Sequence, residues 1–321
     1  MKKISTEKFK GVWSASPTPF TNRMSIDTVS VKRLVEHHIR LGVKGIFLCG
    51  TCGEGPWMPE RDRRALVRAA VAAARGRLVI AVQVTDNSAA RILDNMRSVA
   101  EDGADMAVIA PPYFLLNATT DNVVALYVEA IRGCPLPVGV YDRGRHSSVS
   151  VSTEALQKIY TEPKVVLVKD SSSDPERMKL TLRIRETRPE LSLLNGDEFN
   201  CVEYIKAGYD GLLLGGGIFN GHLAGRIIEA VKSGRLPEAE RLQKRMNRLM
   251  WDVYGGKKIS CWMAGLKHLL VEMGLFATPC QYLNYPLTPS CRSAIARALI
   301  REKEDLLPKN PPALRGRPTR A

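Results

Sequence analysis

Short apolar runs alternate with amphipathic stretches along most of the chain. The runs lie at residues 11–16, 45–50, 78–84, 105–110, 138–142, 165–170, 191–196 and 211–216. Most of them are nearly continuously apolar, as in "LVIAVQV" at 78–84, which is typical of parallel strands covered on both faces. The stretches between them, such as "RDRRALVRAAVAAARG", repeat apolar residues at helical spacing. The pattern therefore predicts eight strands that alternate with helices.

Eight strand–helix units in about 220 residues favour an α/β fold of the (β/α)8 TIM barrel type. We assign the barrel to residues 1–225 and a C-terminal helical extension to residues 226–307, where strand signals stop and helical patterns continue. A doubly wound open sheet is the alternative, but no G-x-G-x-x-G follows the first strand. Residues 308–321 are basic, Pro-rich and without periodicity, so we expect a disordered tail.

Composition indicates a globular protein, with 45% hydrophobic and 25% charged residues among 321. No apolar run approaches the roughly 20 residues of a membrane span, and "MKKISTEKFKGVW" lacks the apolar centre of a secretory signal. We therefore expect a cytoplasmic protein without a membrane partner. Seven scattered cysteines indicate free thiols, and the "CGTC" at 49–52 has no second pair beside it. We expect neither a metal nor another cofactor.

The net charge of +14 raises the question of nucleic-acid binding. Four of the positive charges lie in the tail, at Lys309, Arg315, Arg317 and Arg320. The others are spread over amphipathic helices, and no RRM, KH, zinc-finger or helix-turn-helix signature is present. We therefore expect no nucleic-acid partner, although the charge favours the approach of anionic substrates.

The ends of the predicted strands carry the candidate chemistry, because a barrel places its active site there. In "VVLVKDSSS", Lys169 ends an apolar run. Burial lowers the pKa of a lysine, and the neutral amine can attack a ketone to form a Schiff base. The alternative is a lysine that pairs with Asp170 or reaches solvent, and the strand end alone leaves both open.

Two further strand ends extend this chemistry. Tyr141 ends the fifth strand, where a phenol could move protons to and from a substrate; the alternative is a core tyrosine with a satisfied hydroxyl. The "GTCGE" at 50–54 follows the second strand, and its glycines permit a turn whose N–H groups bind carboxylates or phosphates. Thr51 could also relay a proton to Tyr141. The alternative is an ordinary turn between a strand and a helix.

Together these motifs resemble the dihydrodipicolinate synthase / N-acetylneuraminate lyase family of pyruvate-dependent class I aldolases. The resemblance runs from "GVWSASPTPF" to "GLFATPCQYLNYPLTP", nearly the whole chain. "GTCGE" resembles the family's G-T-T-G-E, "VYD" its strand-5 tyrosine motif and "VKDSS" its Schiff-base lysine motif. The spacing of 28 residues from Tyr141 to Lys169 also fits the family.

The resemblance implies a role for each matching residue. Lys169 would form an imine with pyruvate or another 2-keto acid, Tyr141 would be the general acid/base, and Thr51 would link Tyr141 to a proton relay. It also implies a homotetramer, built as a dimer of dimers, whose partner is a small-molecule 2-keto acid. The substrate-binding positions that it implies are Cys52, Gly50, Gly53, Ala15, His146, Gly196 and Leu213.

The chain also departs from the family pattern. Cys52 stands where a threonine is common, and Phe114 stands at the place of a relay tyrosine. The synthase pattern Y-N-x-P-x-R becomes "YDRGRH", so that Asp142 replaces the asparagine and His146 replaces a substrate-binding arginine. These changes argue against the lysine-biosynthetic condensation and leave the imine chemistry intact.

Four functional hypotheses follow. The first is a Schiff-base lyase or aldolase that breaks or forms a C–C bond to pyruvate. A dehydratase of 2-keto-3-deoxy sugar acids and a 4-hydroxy-tetrahydrodipicolinate synthase would use the same imine. A barrel protein that binds a ligand without catalysis belongs to another class, and the intact Lys169, Tyr141 and Thr51 argue against it.

Overall fold

Eight parallel strands close into a barrel within residues 7–308, the part of the chain that the computed structural model describes. The strands are β1 (Gly11–Ala15), β2 (Gly45–Leu48), β3 (Val79–Gln83), β4 (Met106–Ile109), β5 (Val138–Asp142), β6 (Val165–Asp170), β7 (Ser192–Asn195) and β8 (Gly211–Leu214). Each strand pairs with its neighbours in chain order, and β1 also pairs with β8. The TIM-barrel prediction is confirmed.

Helices follow every strand and cover the outside of the barrel. They are α1 (Thr28–Arg40), α2 (Glu60–Ala74), α3 (Ala89–Glu101), α4 (Thr120–Gly133), α5 (Thr153–Tyr160), α6 (Pro175–Thr187), α7 (Cys201–Lys206) and α8 (Gly217–Lys232). Several begin at a polar residue whose side chain accepts a backbone N–H of the first turn, as Asp27 does for α1 and Ser152 for α5. Among residues 7–308, every helix is too short or too polar to cross a lipid bilayer.

As far as residue 308, the C-terminal extension consists of four more helices. They are α9 (Leu236–Tyr254), α10 (Trp262–Glu272), α11 (Pro289–Arg301) and α12 (Lys303–Leu306). The rings of Phe219 on α8 and Tyr254 on α9 meet edge to face with their centroids 5.8 Å apart, which fixes the extension against the last barrel helix. Since α8 continues through residues 225 and 226, the division of the chain at that point stays a prediction. The tail lies outside the described residues, apart from Pro308.

Pairing in the sheet decides which side chains enter the barrel. Tyr141 on β5 pairs with Lys169 on β6, so both point to the same face. The next pair, Asp142 and Asp170, points to the opposite face because side chains alternate along a strand. Lys169 and Tyr141 therefore face the barrel interior, and the two aspartates face the surrounding helices.

Candidate active site

Lys169 and Tyr141 lie together at the carboxyl ends of β5 and β6. Lys169 is only 5% exposed, and its Nζ lies 4.0 Å from the centroid of the Tyr141 ring. Phe47 on β2 lies beside Tyr141, with its ring centroid 5.0 Å from the same Nζ and its ring edge to face with that of Tyr141. The amine thus lies close to two aromatic rings that contact each other.

The alternative partner of Lys169 is engaged elsewhere. Asp170 accepts hydrogen bonds from the Ser172 hydroxyl at 2.7 Å and the Tyr209 hydroxyl at 2.7 Å. Asp142 binds the Arg177 guanidinium at 2.7 Å. Within residues 7–308, Lys169 forms no ion pair. Its amine is therefore not held by a carboxylate and is available to react with a substrate.

The surroundings of Tyr141 favour its phenolate. Burial raises the pKa of Tyr141, but the positive charges of Lys169 and Arg143 and hydrogen bonds with Ser171 and Thr51 outweigh this effect. The net pKa therefore lies below that of an ordinary tyrosine. The structure brings Thr51 to Tyr141, as the sequence predicts, and a phenol with a lowered pKa is better suited to accept a proton near neutral pH.

The turn after β2 places backbone N–H groups at the same mouth. Its residues 51–53 donate no backbone hydrogen bond within the described part of the chain, so these N–H groups are free for a ligand. The Thr18 hydroxyl donates to the Gly53 carbonyl at 2.6 Å and holds the turn from β1. Glu54, in a left-handed conformation with φ 58°, ends the turn and points away from the mouth into the extension.

A fully buried ion pair fixes that end of the turn. Glu54 and Lys267 of α10 are both 0% exposed and lie 2.5 Å apart. Glu54 also accepts the backbone N–H of Tyr282 at 2.6 Å, and Lys267 donates to the Cys280 carbonyl. The C-terminal extension thus holds this end of the turn in place through an ion pair and hydrogen bonds.

Cys49 and Cys52, the two thiols of the C-x-x-C spacing, are buried free cysteines. Burial raises the pKa of each thiol to about 12, so both stay protonated at neutral pH. The Cys52 Sγ lies 3.6 Å from the Gly215 carbonyl, within reach of a weak hydrogen bond. Among residues 7–308, no group of three or more His, Cys, Asp or Glu is arranged to hold a metal.

Glu198 is a site residue that the sequence reasoning missed. Its carboxylate accepts the Gly216 N–H at 2.7 Å and the Tyr254 hydroxyl at 3.0 Å. Burial raises the pKa of this carboxyl, although those hydrogen bonds and the charge of Lys169 act in the opposite direction. The sequence indicated a role for Glu198 only through its position two residues after Gly196. Its partner Tyr254 lies on α9, where no sequence pattern indicated a site residue.

Three further positions that the sequence predicts to bind substrate, Ala15, Leu213 and Gly196, lie at different places in the barrel. Ala15 pairs with Phe47 and Leu213 pairs with Trp13, so both are buried and face the interior. A Cβ on Gly196 would lie 2.9 Å from Lys169 Cε and 2.0 Å from Ser171 Oγ, so only glycine permits this approach to the lysine. The substrate-binding assignments stay predictions.

The departures after Tyr141 and at Phe114 lie at the rim. His146 is exposed in the short 3-10 turn Gly144–His146. Phe114 is 62% exposed, while the neighbouring Tyr113 hydroxyl accepts a hydrogen bond from Gln83 at 3.1 Å. Tyr113 is thus directed to β3 and forms no hydrogen bond with Tyr141 in the described structure.

Comparison with known proteins identifies the family of the chain. A model of the dihydrodipicolinate synthetase family matches residues 8–300. The chain is 30% identical to an N-acetylneuraminate lyase of Rhizobium meliloti over 272 residues, 85% of this chain and 88% of the relative. It is 27% identical to a 4-hydroxy-tetrahydrodipicolinate synthase of Phenylobacterium zucineum over 292 residues, 91% of this chain and 95% of the relative.

Solved structures lead to the same result. The dihydrodipicolinate synthase of Bacteroides thetaiotaomicron superimposes with a TM-score of 0.82 at 26% identity, covering 91% of this chain and 98% of that one. The resemblance found in the sequence motifs is confirmed.

Proposed function

The chain belongs to the dihydrodipicolinate synthetase family, and we propose that this lyase of the class I aldolase type forms its Schiff base at Lys169. The observation that carries the assignment is a buried lysine without an ion pair, 4.0 Å from the ring of a tyrosine whose pKa is lowered. A 2-keto acid is the substrate class that this site supports, because the Lys169 amine would condense with a ketone and the free N–H groups after β2 would bind the adjacent carboxylate.

The reaction is a C–C cleavage that releases pyruvate. Lys169 Nζ attacks the C2 ketone, and loss of water gives the imine. Tyr141 takes the proton of the C4 hydroxyl, the C3–C4 bond breaks, and its electron pair moves to the imine nitrogen. An aldehyde departs. The remaining enamine takes a proton at C3, and water then releases pyruvate and the free lysine.

The turn after β2 supports the binding of the carboxylate. Its free N–H groups at Thr51, Cys52 and Gly53 suit the C1 carboxylate of the substrate. Cys52 contributes its N–H here, since its protonated thiol bears no charge and is directed to the Gly215 carbonyl. Thr51 has two tasks in this proposal, as an N–H donor and as the hydrogen-bond partner of Tyr141.

Dehydration is the second candidate reaction, and Glu198 is the observation that favours it. A carboxyl with a raised pKa near the imine lysine can protonate a departing hydroxyl, so that water leaves while the C3–C4 bond stays intact. The condensation of a 4-hydroxy-tetrahydrodipicolinate synthase would start from the same imine with pyruvate.

A panel of 2-keto-3-deoxy sugar acids separates these reactions. Cleavage releases pyruvate, which lactate dehydrogenase detects, whereas dehydration gives a dicarbonyl product of the full carbon chain, which mass spectrometry detects. Pyruvate release that Tyr141→Phe abolishes would support cleavage. Full turnover in that variant would remove Tyr141 from the mechanism.

We further propose a cytoplasmic homotetramer, a dimer of dimers. Exposed apolar residues at the rim of the barrel support an interface between copies: Trp57, Tyr113, Phe114 and Leu116 are 46%, 38%, 62% and 73% exposed. Sedimentation equilibrium should give four times the monomer mass, and Leu116→Asp should lower it. A monomer for the unmodified chain would contradict this proposal.

A further inference from the structure

A buried ion pair lies next to Tyr141, on the face of the sheet that is turned to the helices. Asp142 follows Tyr141 at the end of β5 and is 2% exposed, and Arg177 lies in the first turn of α6. The Arg177 Nη1 lies 2.7 and 2.8 Å from the two Asp142 oxygens, and its Nη2 donates to the Val151 carbonyl at 2.6 Å. Arg177 therefore joins the end of β5 to the end of the loop that follows it, residues 143–151.

Asp142 also holds the start of this loop. Its Oδ1 accepts the Gly144 N–H at 2.9 Å. Gly144 has φ 52°, and a Cβ there would lie 2.8 Å from Ser172 Cβ, so the turn is packed on the loop after Lys169. The Asp142 carbonyl accepts the Ser171 N–H at 2.9 Å. Asp142 thus fixes the loops after β5 and β6 relative to each other.

Ser171 connects this arrangement to the reacting groups. Its side chain forms a hydrogen bond with Tyr141 that favours the phenolate. A Cβ on Gly196 would clash with Ser171 Oγ and lie 2.9 Å from Lys169 Cε, so the hydroxyl and the lysine side chain pack on the same glycine. A displacement of the Ser171 backbone would therefore change the surroundings of the phenol.

The charge of Asp142 has one counter-charge. Within residues 7–308, its only ion pair is with Arg177. The other titratable groups around the pair carry no positive charge: Tyr127 of α4, Tyr160 of α5, Asp170 of β6 and Asp174 beside α6. At the phenol, Lys169 and Arg143 are the charges that lower the pKa of Tyr141. Loss of Arg177 would leave a buried negative charge next to Tyr141, which opposes the phenolate.

We propose that Arg177 is a positioning residue for proton transfer by Tyr141, and that it acts through Asp142 and Ser171 from outside the barrel interior. This inference rests on the proposed function, since it takes Tyr141 as the acid/base and Lys169 as the site of the imine. A residue that served stability alone would leave the rate and the pH dependence of proton transfer unchanged in the folded enzyme.

Deuterium exchange of pyruvate tests the proposal without the full substrate. Tyr141 takes a C3 proton from the imine of pyruvate with Lys169, and the C–H electron pair moves to the imine nitrogen. After exchange with D2O, the phenol returns a deuteron to C3. NMR follows this exchange against pH, and borohydride trapping measures imine formation separately. In the unmodified enzyme, exchange should rise with pH as the phenolate forms, and Tyr141→Phe should lose most of it.

Variants of Arg177 should affect exchange and not imine formation. Arg177→Met should slow exchange by about tenfold to a hundredfold and move its rise to higher pH, while the trapped imine at saturating pyruvate is unchanged. Arg177→Lys keeps a positive charge beside Asp142 and should restore part of the rate.

Arg188→Met is the matched control. Arg188 caps the other end of α6, and its side chain is 12% exposed against 11% for Arg177. It donates to the Val165 carbonyl at 2.9 Å, at the start of β6 and thus at the end of the barrel away from Tyr141. Its loss should lower the melting temperature and leave exchange and its pH dependence unchanged.

A double variant covers the case in which Arg177→Met does not fold. Asp142→Asn with Arg177→Met leaves no unpaired charge and keeps an oxygen for the Gly144 N–H. Because the Val151 carbonyl has still lost its donor, exchange should stay slower than in the unmodified enzyme. Ser171→Ala should also slow exchange, and Arg177→Met should have a smaller effect in that background than alone.

Four outcomes would overturn the inference. They are an unchanged rate and pH dependence in Arg177→Met, an equal loss in Arg188→Met, full exchange in the double variant, and additive effects of Arg177→Met and Ser171→Ala. If pyruvate gives no adduct at Lys169 in the unmodified enzyme, the proposed function itself fails. An adduct at Lys169 together with unchanged exchange in Arg177→Met refutes the positioning role alone.

Discussion

The buried ion pair of Glu54 and Lys267 should contribute strongly to the stability of the protein, because it joins the turn after β2 to the C-terminal extension. Lys267→Met keeps a long unbranched side chain but leaves the Glu54 carboxylate without its counter-charge at 0% exposure. Removing one partner of a buried pair costs about 3–5 kcal/mol. With roughly 0.6 kcal/mol/K of unfolding entropy for a chain of this size, the melting temperature should fall by about 5–8 °C.

A double-mutant cycle measured by calorimetry checks this reasoning. Glu54→Gln keeps an acceptor for the Tyr282 N–H and removes the charge, so Glu54→Gln with Lys267→Met should be more stable than Lys267→Met alone. The coupling between the two substitutions should be about 2 kcal/mol or more. Lys258→Met is the matched control on an exposed lysine and should change stability by less than about 0.5 kcal/mol.

The same variant should also weaken substrate binding. Because Glu54 ends the turn whose N–H groups face the mouth, Lys267→Met should raise KM for the keto acid more than it lowers kcat. Additive effects in the cycle, or an unchanged melting temperature in Lys267→Met, would refute the account of this pair as an anchor.

Three further predictions concern protons. Tyr141→Phe should still form the imine but lose about 10²- to 10⁴-fold in turnover, as measured by pyruvate release; a loss of imine trapping instead would make Tyr141 structural. Arg143→Met removes a charge that lowers the pKa of Tyr141, so the rise of kcat with pH should move to higher pH; a shift to lower pH would contradict the assignment. Burial lowers the pKa of His37 to about 4 and that of His38 to about 3, whereas both titrate near 6.5 when unfolded. Below pH 6.5 the unfolded chain therefore binds more protons at these two histidines than the folded chain does. Their burial leaves the folding stability unaffected above that pH, and acidification to pH 5 lowers the free energy of unfolding by about 2 kcal/mol per histidine. Calorimetry at pH 7 and pH 5 measures this loss, which a His37→Gln, His38→Gln variant should not show.

The barrel was predictable because parallel strands buried on both faces leave an apolar run that few other structures produce. The predicted run at 211–216 extends beyond β8, which ends at Leu214, because Gly215 and Gly216 form the turn into α8. Lys169 and Asp170 are adjacent in one strand, so their side chains point to opposite faces of the sheet. This geometry excludes the ion pair between them that was the alternative interpretation of Lys169.

What sequence reasoning missed depends on contacts between distant parts of the chain. Tyr254 reaches Glu198 across 56 positions, and Lys267 reaches Glu54 across 213, and neither spacing leaves a periodic signal. Such pairs follow from how α9 and α10 pack on the barrel.

Borohydride trapping with pyruvate tests the central claim most directly. The chain offers an internal control, since Lys267 is also fully buried but is paired with Glu54. We expect a single reduced pyruvate adduct on the peptide that contains Lys169, and none on the peptide that contains Lys267. No adduct, or an adduct on another lysine, would contradict it.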